Sequence, residues 1–147
     1  MTGTRSWLRA GLVLLSLTQG VTGLWMLLSP RSFYDNVLGV SALPPFNEHL
    51  MRDLGGVYLA LAVVLAVGAI RLERSLVRTA LAAYLVASVT HLHFHATHGA
   101  GLTGSATTAL LASLVLLVLL SAALLILARR LPGRSPTSGR IDDDQFS

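Results

Sequence analysis

Residues 110–128, LLASLVLLVLLSAALLILA, carry no charge and only two serines. Such a run has no face with which to meet water. A helix needs about 20 mostly apolar residues, at about 1.5 Å each, to cross a hydrocarbon core about 30 Å thick. Four stretches reach that length, at about residues 7–28, 50–70, 76–95 and 107–128. In lipid every backbone polar group must be bonded within its own segment or a closed barrel. The period-two alternation of barrel strands is not visible, which leaves helices. The predicted fold is therefore all-α, a transmembrane four-helix bundle over residues 1–130 with a disordered tail over 131–147. Composition agrees: 12% of the 147 residues are charged, about half the roughly 25% of a soluble domain. The length allows one domain.

The cations set the orientation. Lys is absent, and nine of the eleven arginines fall on one side: Arg5 and Arg9 before the first span, Arg71, Arg74 and Arg78 around the turn between the second and third, and Arg129, Arg130, Arg134 and Arg140 after the fourth. Only Arg31 and Arg52 lie on the other. The positive-inside rule then puts both termini in the cytoplasm of a bacterial inner membrane, N-in and C-in. It also accounts for the pI near 10.7 without nucleic acid as a partner. The first span has the basic start of a signal peptide, but its apolar character continues through Leu24, Trp25, Met26, Leu27 and Leu28. That exceeds a 7–15-residue signal core and favours an uncleaved helix.

The connections differ in kind. About five residues around Leu72 to Ser75 join the second and third spans, which makes them antiparallel neighbours. The first connection opens with Ser29-Pro30, an N-cap followed by proline at a first helical position, and predicts a short interfacial helix. Phe33 and Tyr34 are expected to anchor it at the membrane surface, with Gly39 as its stop. Pro44-Pro45 breaks the chain before Asn47, which is placed to cap the second span. Gly20, Gly23, Gly55 and Gly56 allow close helix contact, and Gln19 is expected to bond another helix. The tail, rich in Pro, Gly and Ser, reads as disordered.

The five histidines and the carboxylates Glu48 and Asp53 gather at one predicted membrane level. The second span begins Asn47-Glu48-His49-Leu50-Met51-Arg52-Asp53, and the third ends His91-Leu92-His93-Phe94-His95-Ala96-Thr97-His98. About a turn near residue 74, Asp53 stands at the height of His95, and His91 lies deeper, level with Val57 and Tyr58. His91, His95 and His98 share one helix face, as do His49 and Asp53. Glu48 and Arg52 form another i, i+4 pair.

Imidazoles one turn apart suit a divalent transition metal, which a carboxylate can complete, so His49, Asp53, His91, His95 and His98 are the candidate metal ligands. Tyr58 and His91 are the candidate cofactor contacts, in a proton-relay or quinone site. Haem fits less well, because the deeper histidines all lie on one helix. The competing reading is a polar network that only fixes helices two and three. The absence of cysteine removes thiolate chemistry. No phosphate loop, nucleophile elbow or H-E-x-x-H motif is present, so no reaction is named.

The run Pro44-Pro45-Phe46-Asn47-Glu48-His49-Leu50-Met51-Arg52-Asp53-Leu54-Gly55-Gly56-Val57-Tyr58-Leu59-Ala60 resembles the start of helix two in small, uncharacterised bacterial four-helix integral membrane proteins, a group similar to the DoxX-like proteins. Trp25 with Pro30-Arg31-Ser32-Phe33-Tyr34 is similar to the end of their first helix, and His91 to His98 to the histidine-containing end of their third. The resemblance covers roughly residues 20–98. It implies the four-helix membrane fold and, through some DoxX-like proteins, quinone-linked oxidoreduction. Bundles of this size that use redox cysteines have no counterpart here. Two functional classes follow: a ligand, metal or redox site at the outer face, or a structural or accessory subunit. Small size favours a homo-oligomer or a membrane partner subunit.

Overall fold

A computed structural model describes residues 2–41, 45–98 and 104–132. They form α1 (Thr2–Leu28), α2 (Pro30–Asn36), α3 (Glu48–Arg71), α4 (Arg74–His98) and α5 (Ser105–Leu127), with a 3-10 turn at Ala128–Arg130. No strand occurs among the described residues. Four of the helices, α1, α3, α4 and α5, are long and apolar enough to cross a membrane, as expected. Most of the tail expected to be disordered, 133–147, lies outside the described residues, as does Pro44.

The boundaries have local causes. Asn47 caps α3 as expected, its side chain accepting from the Leu50 N–H at 3.0 Å. Pro30 occupies the first turn of α2, but Ser29 makes no side-chain cap bond there. Gly39 takes φ +83° three residues after α2 ends. The α3–α4 turn is tighter than expected, with only Leu72 and Glu73 between the helices. Leu72 ends α3 in the left-handed region at φ +49°, its N–H bonded to the Gly68 carbonyl at 2.9 Å. That conformation costs a residue with a β-carbon about 1–2 kcal/mol. The Leu72 side chain is buried in the main core, and that contact offsets the strain.

The main core lies at the Arg74 end. Leu8, Leu12 and Leu15 of α1 meet Leu65 and Ala69 of α3, then Leu72, then Val77, Ala80, Leu81 and Tyr84 of α4, with Leu124, Ala128 and Leu131 closing the cluster. Each helix presents these residues at spacings of three and four, which line one face. In lipid these side chains gain little by leaving water, so close packing and hydrogen bonds must hold the helices.

α1 and α3 form the tightest pair. They run antiparallel, and Gly23 and Gly55 bring their backbones together. A β-carbon built on Gly23 falls 2.8 Å from the Gly55 carbonyl oxygen, and one on Gly55 falls 2.8 Å from that of Gly23. Gly56 faces open space. α4 packs more against α5 than against α3, which it meets in the core beside their shared turn. Beyond Tyr84 no residue of α4 is fully buried.

Candidate functional site

At the His98 end, α3 opens with two i, i+4 side-chain pairs along its surface. Arg52 meets Glu48 at 2.8 Å, and His49 Nε2 lies 3.3 Å from Asp53 Oδ2. Both pairs are the i, i+4 couples read from the sequence. Arg52 does more: its guanidinium also donates to the Leu27 carbonyl in the last turn of α1. The last carbonyls of a helix have no partner within it and carry the negative end of its dipole, so a cation suits them.

The opposite end of the same pair mirrors this. Arg9, early in α1, donates through Nε to the Ala69 carbonyl near the end of α3 at 3.2 Å. Between the two arginines, Ser16 donates to the Ala62 carbonyl at 2.9 Å. Each helix thus lends an arginine from its first turns to the last turn of the other. The sequence reading placed Arg52 beside Glu48 but missed its reach to α1 and the matching role of Arg9. The signal lay in their positions, each close to the N-terminal end of one helix in an antiparallel pair.

A second cluster fastens the first connection. Met26, Phe33 and Met51 form a small core joining α1, α2 and α3. Phe33 meets Trp25 edge-on at 5.6 Å, and Tyr34 meets Phe46 at 5.4 Å. Phe33 is buried among protein side chains, which corrects its expected role as a surface anchor. Arg31 lies 5.7 Å from the Tyr34 ring centroid and 5.2 Å from that of Phe46, and pairs with Asp35 at 2.8 Å. Its hydrogen bond to Asp35 pushes the guanidinium pKa above its already high ordinary value.

The α4 histidines form a separate group. His91 and His95 rings meet edge to face with centroids 4.7 Å apart. His98 stacks on Phe94 at 4.7 Å, and Thr97 contacts its Nδ1 at 2.9 Å. α4 does continue to His98, so His91, His95 and His98 share a face as expected. Asp53 pairs only with His49, and no α4 histidine joins them. Among the described residues no three of His, Cys, Asp and Glu gather to hold a metal ion. The expected five-residue metal set is therefore two separate groups. Its physical reason is the choice of neighbours: α3 pairs with α1 and α4 with α5, so equal height does not bring the α3 carboxylates to the α4 histidines.

Tyr58 sits on the α1–α3 contact, where its β-carbon is 2.9 Å from the position of a Gly23 β-carbon. The ring contact that His91 makes is with His95. Tyr84, which sequence reading passed over, is 1% exposed, and its hydroxyl is enclosed without a partner. A shallow apolar depression of about 320 Å³ lies along Val21, Leu24, Trp25, Leu28 and Ser29. None of its lining side chains titrates in the physiological range, which leaves it without acid–base chemistry. No known protein family, curated protein or solved structure matches this chain.

Proposed function

We propose that this chain is a structural or accessory subunit of an assembly in the bacterial plasma membrane, of the DoxX-like four-helix kind, with both termini cytoplasmic and α2 at the outer surface. The reciprocal arginine contacts carry the reading. Two arginines within the spans, Arg9 and Arg52, are committed to carbonyls of a neighbouring helix. Their use is structural: they hold α1 to α3 at both ends of a glycine contact. The remaining polar residues at the outer end of α3, His49 and Asp53, are exposed and paired with each other. Large apolar side chains such as Trp7, Val57, Ile70, Val86 and Leu116 stand exposed over all four long helices, as surfaces for lipid or other helices.

The test is the size of the protein, extracted from its native membrane in mild detergent, with detergent mass subtracted. A particle well above the 15.6 kDa chain is expected. A monodisperse monomer that keeps its fold overturns the subunit reading. Orientation is checked separately in this cysteine-free chain. Ser75→Cys should react with an impermeant thiol reagent from the cytoplasmic side only, and Ser41→Cys from the outside only.

A further inference from the structure

One stripe of α4 stands largely open among the described residues. Ala83, Ala87 and His91 are exposed at successive four-residue steps, and half-buried His95 continues the row. The two imidazoles already lie one turn apart with ring centroids 4.7 Å from each other. His95 Nδ1 is enclosed. Its remaining ring nitrogen, Nε2, is therefore the one available to a ligand. His91 is exposed and forms no hydrogen bond through its ring, so it too has a free ligating nitrogen. His98 is occupied by Phe94 and Thr97, and Asp53 by His49.

Two imidazoles at i, i+4 make half a coordination sphere for a transition ion that takes four ligands. The chain offers no third ligand among its described residues. The alanines below the pair indicate where the other half comes from. Small residues four apart let a second membrane helix approach closely. A two-fold axis along the membrane normal brings identical residues of two copies to the same depth. Paired along this stripe, two α4 helices place four imidazoles at one level with no carboxylate or cation among them.

We propose that His91 and His95 of two copies jointly hold one divalent transition-metal ion, four imidazoles in all, at the His98 ends of two facing α4 helices. Copper(II) and zinc(II) are the ions this nitrogen set favours. The proposal extends the subunit reading by making a second copy one of the neighbours, and to that extent rests on it.

The experiment is titration of the detergent-purified full chain, free of any polyhistidine tag, with copper(II). Stoichiometry, electron paramagnetic resonance and particle size are followed together. One copper per two chains is expected, with a four-nitrogen spectrum and a dimer that chelator disperses or weakens. His91→Ala should lower copper affinity by about 100-fold or more, because it removes the chelate and both of its copies at once. His93→Ala, off the stripe, should change nothing. One copper per chain with a two-nitrogen spectrum overturns the shared site. So does absence of binding beyond that of the His91→Ala, His95→Ala double variant. If the native particle stays large while copper fails to bind, the metal proposal falls and the subunit reading stands. If copper binds to a chain that is monomeric throughout, both fall.

Discussion

Replacing Gly23 with alanine tests whether backbone approach, rather than greasy surface, holds α1 to α3. The added β-carbon would lie 2.8 Å from the Gly55 oxygen, 2.9 Å from the Tyr58 β-carbon and 3.0 Å from the Leu59 nitrogen. Two of these atoms are backbone and the third is fixed directly to it, so no rotamer change relieves them. Restoring an ordinary contact of about 3.4 Å means parting the helices by roughly 0.5 Å, which forfeits about a quarter of each dispersion well it touches. Overpacking of this kind costs about 1–3 kcal/mol. For a chain of this size, 2 kcal/mol corresponds to a fall in Tm of about 4–8 °C. Gly55→Ala should match it, since its β-carbon meets the Gly23 oxygen at 2.8 Å and the Leu27 nitrogen at 3.0 Å. The double variant should cost less than the two added together, because one separation relieves both clashes. Gly56→Ala is the control: its β-carbon meets nothing within 4 Å and should leave Tm unchanged or slightly raised. Thermal unfolding in one detergent reads all four. If Gly23→Ala unfolds with the wild type, the contact does not hold the pair.

Arg9→Ala and Arg52→Ala should each destabilise by about 1 kcal/mol, the scale of a charged hydrogen bond at a partly wet site. Lying at opposite ends of the pair, they should add, in contrast to the two glycines; strong non-additivity in thermal unfolding would tell against independent contacts. Asp53→Ala should shift stability by under about 0.5 kcal/mol, because its one side-chain partner among the described residues is the exposed His49; a large loss would reveal a partner beyond this chain. Gly11→Ala drives a β-carbon to 2.6 Å from the Leu124 methyl groups, which are the tips of a flexible side chain. Its cost should stay under about 1.5 kcal/mol and be relieved by Leu124→Val.

Much of this architecture was legible in the residues, and the rest failed for one reason. Helix positions follow from lengths of apolar sequence, the Asn47 cap from a side chain that accepts a backbone N–H, and the Glu48–Arg52 and His49–Asp53 pairs from helical spacing alone. Each is a local consequence of the chain. Which helix lies beside which is not local. A short turn, read as about five residues, made α3 and α4 antiparallel neighbours, and depth arithmetic then placed Asp53 beside His95. The glycines at 23 and 55 draw α3 to α1 instead, and no periodicity reports that preference, since Gly56 carries the same signal and faces outward. Phe33 was misplaced likewise: an aromatic near a membrane surface can face lipid or a neighbour, and Met26 and Met51 decide the matter.

The placement of the main core has a kinetic consequence. Leu8, Leu12, Leu15, Leu65, Val77, Leu81 and Tyr84 are sealed together, whereas α4 past Tyr84 has no enclosed residue. Segments with few enclosed contacts open at lower free energy than the body they belong to. Amide exchange along α4 should quicken from Leu81 toward His98, and the α4–α5 hairpin can swing about its fixed base while the α1–α3 pair stays shut. A chain built this way can open one hairpin without unfolding the rest.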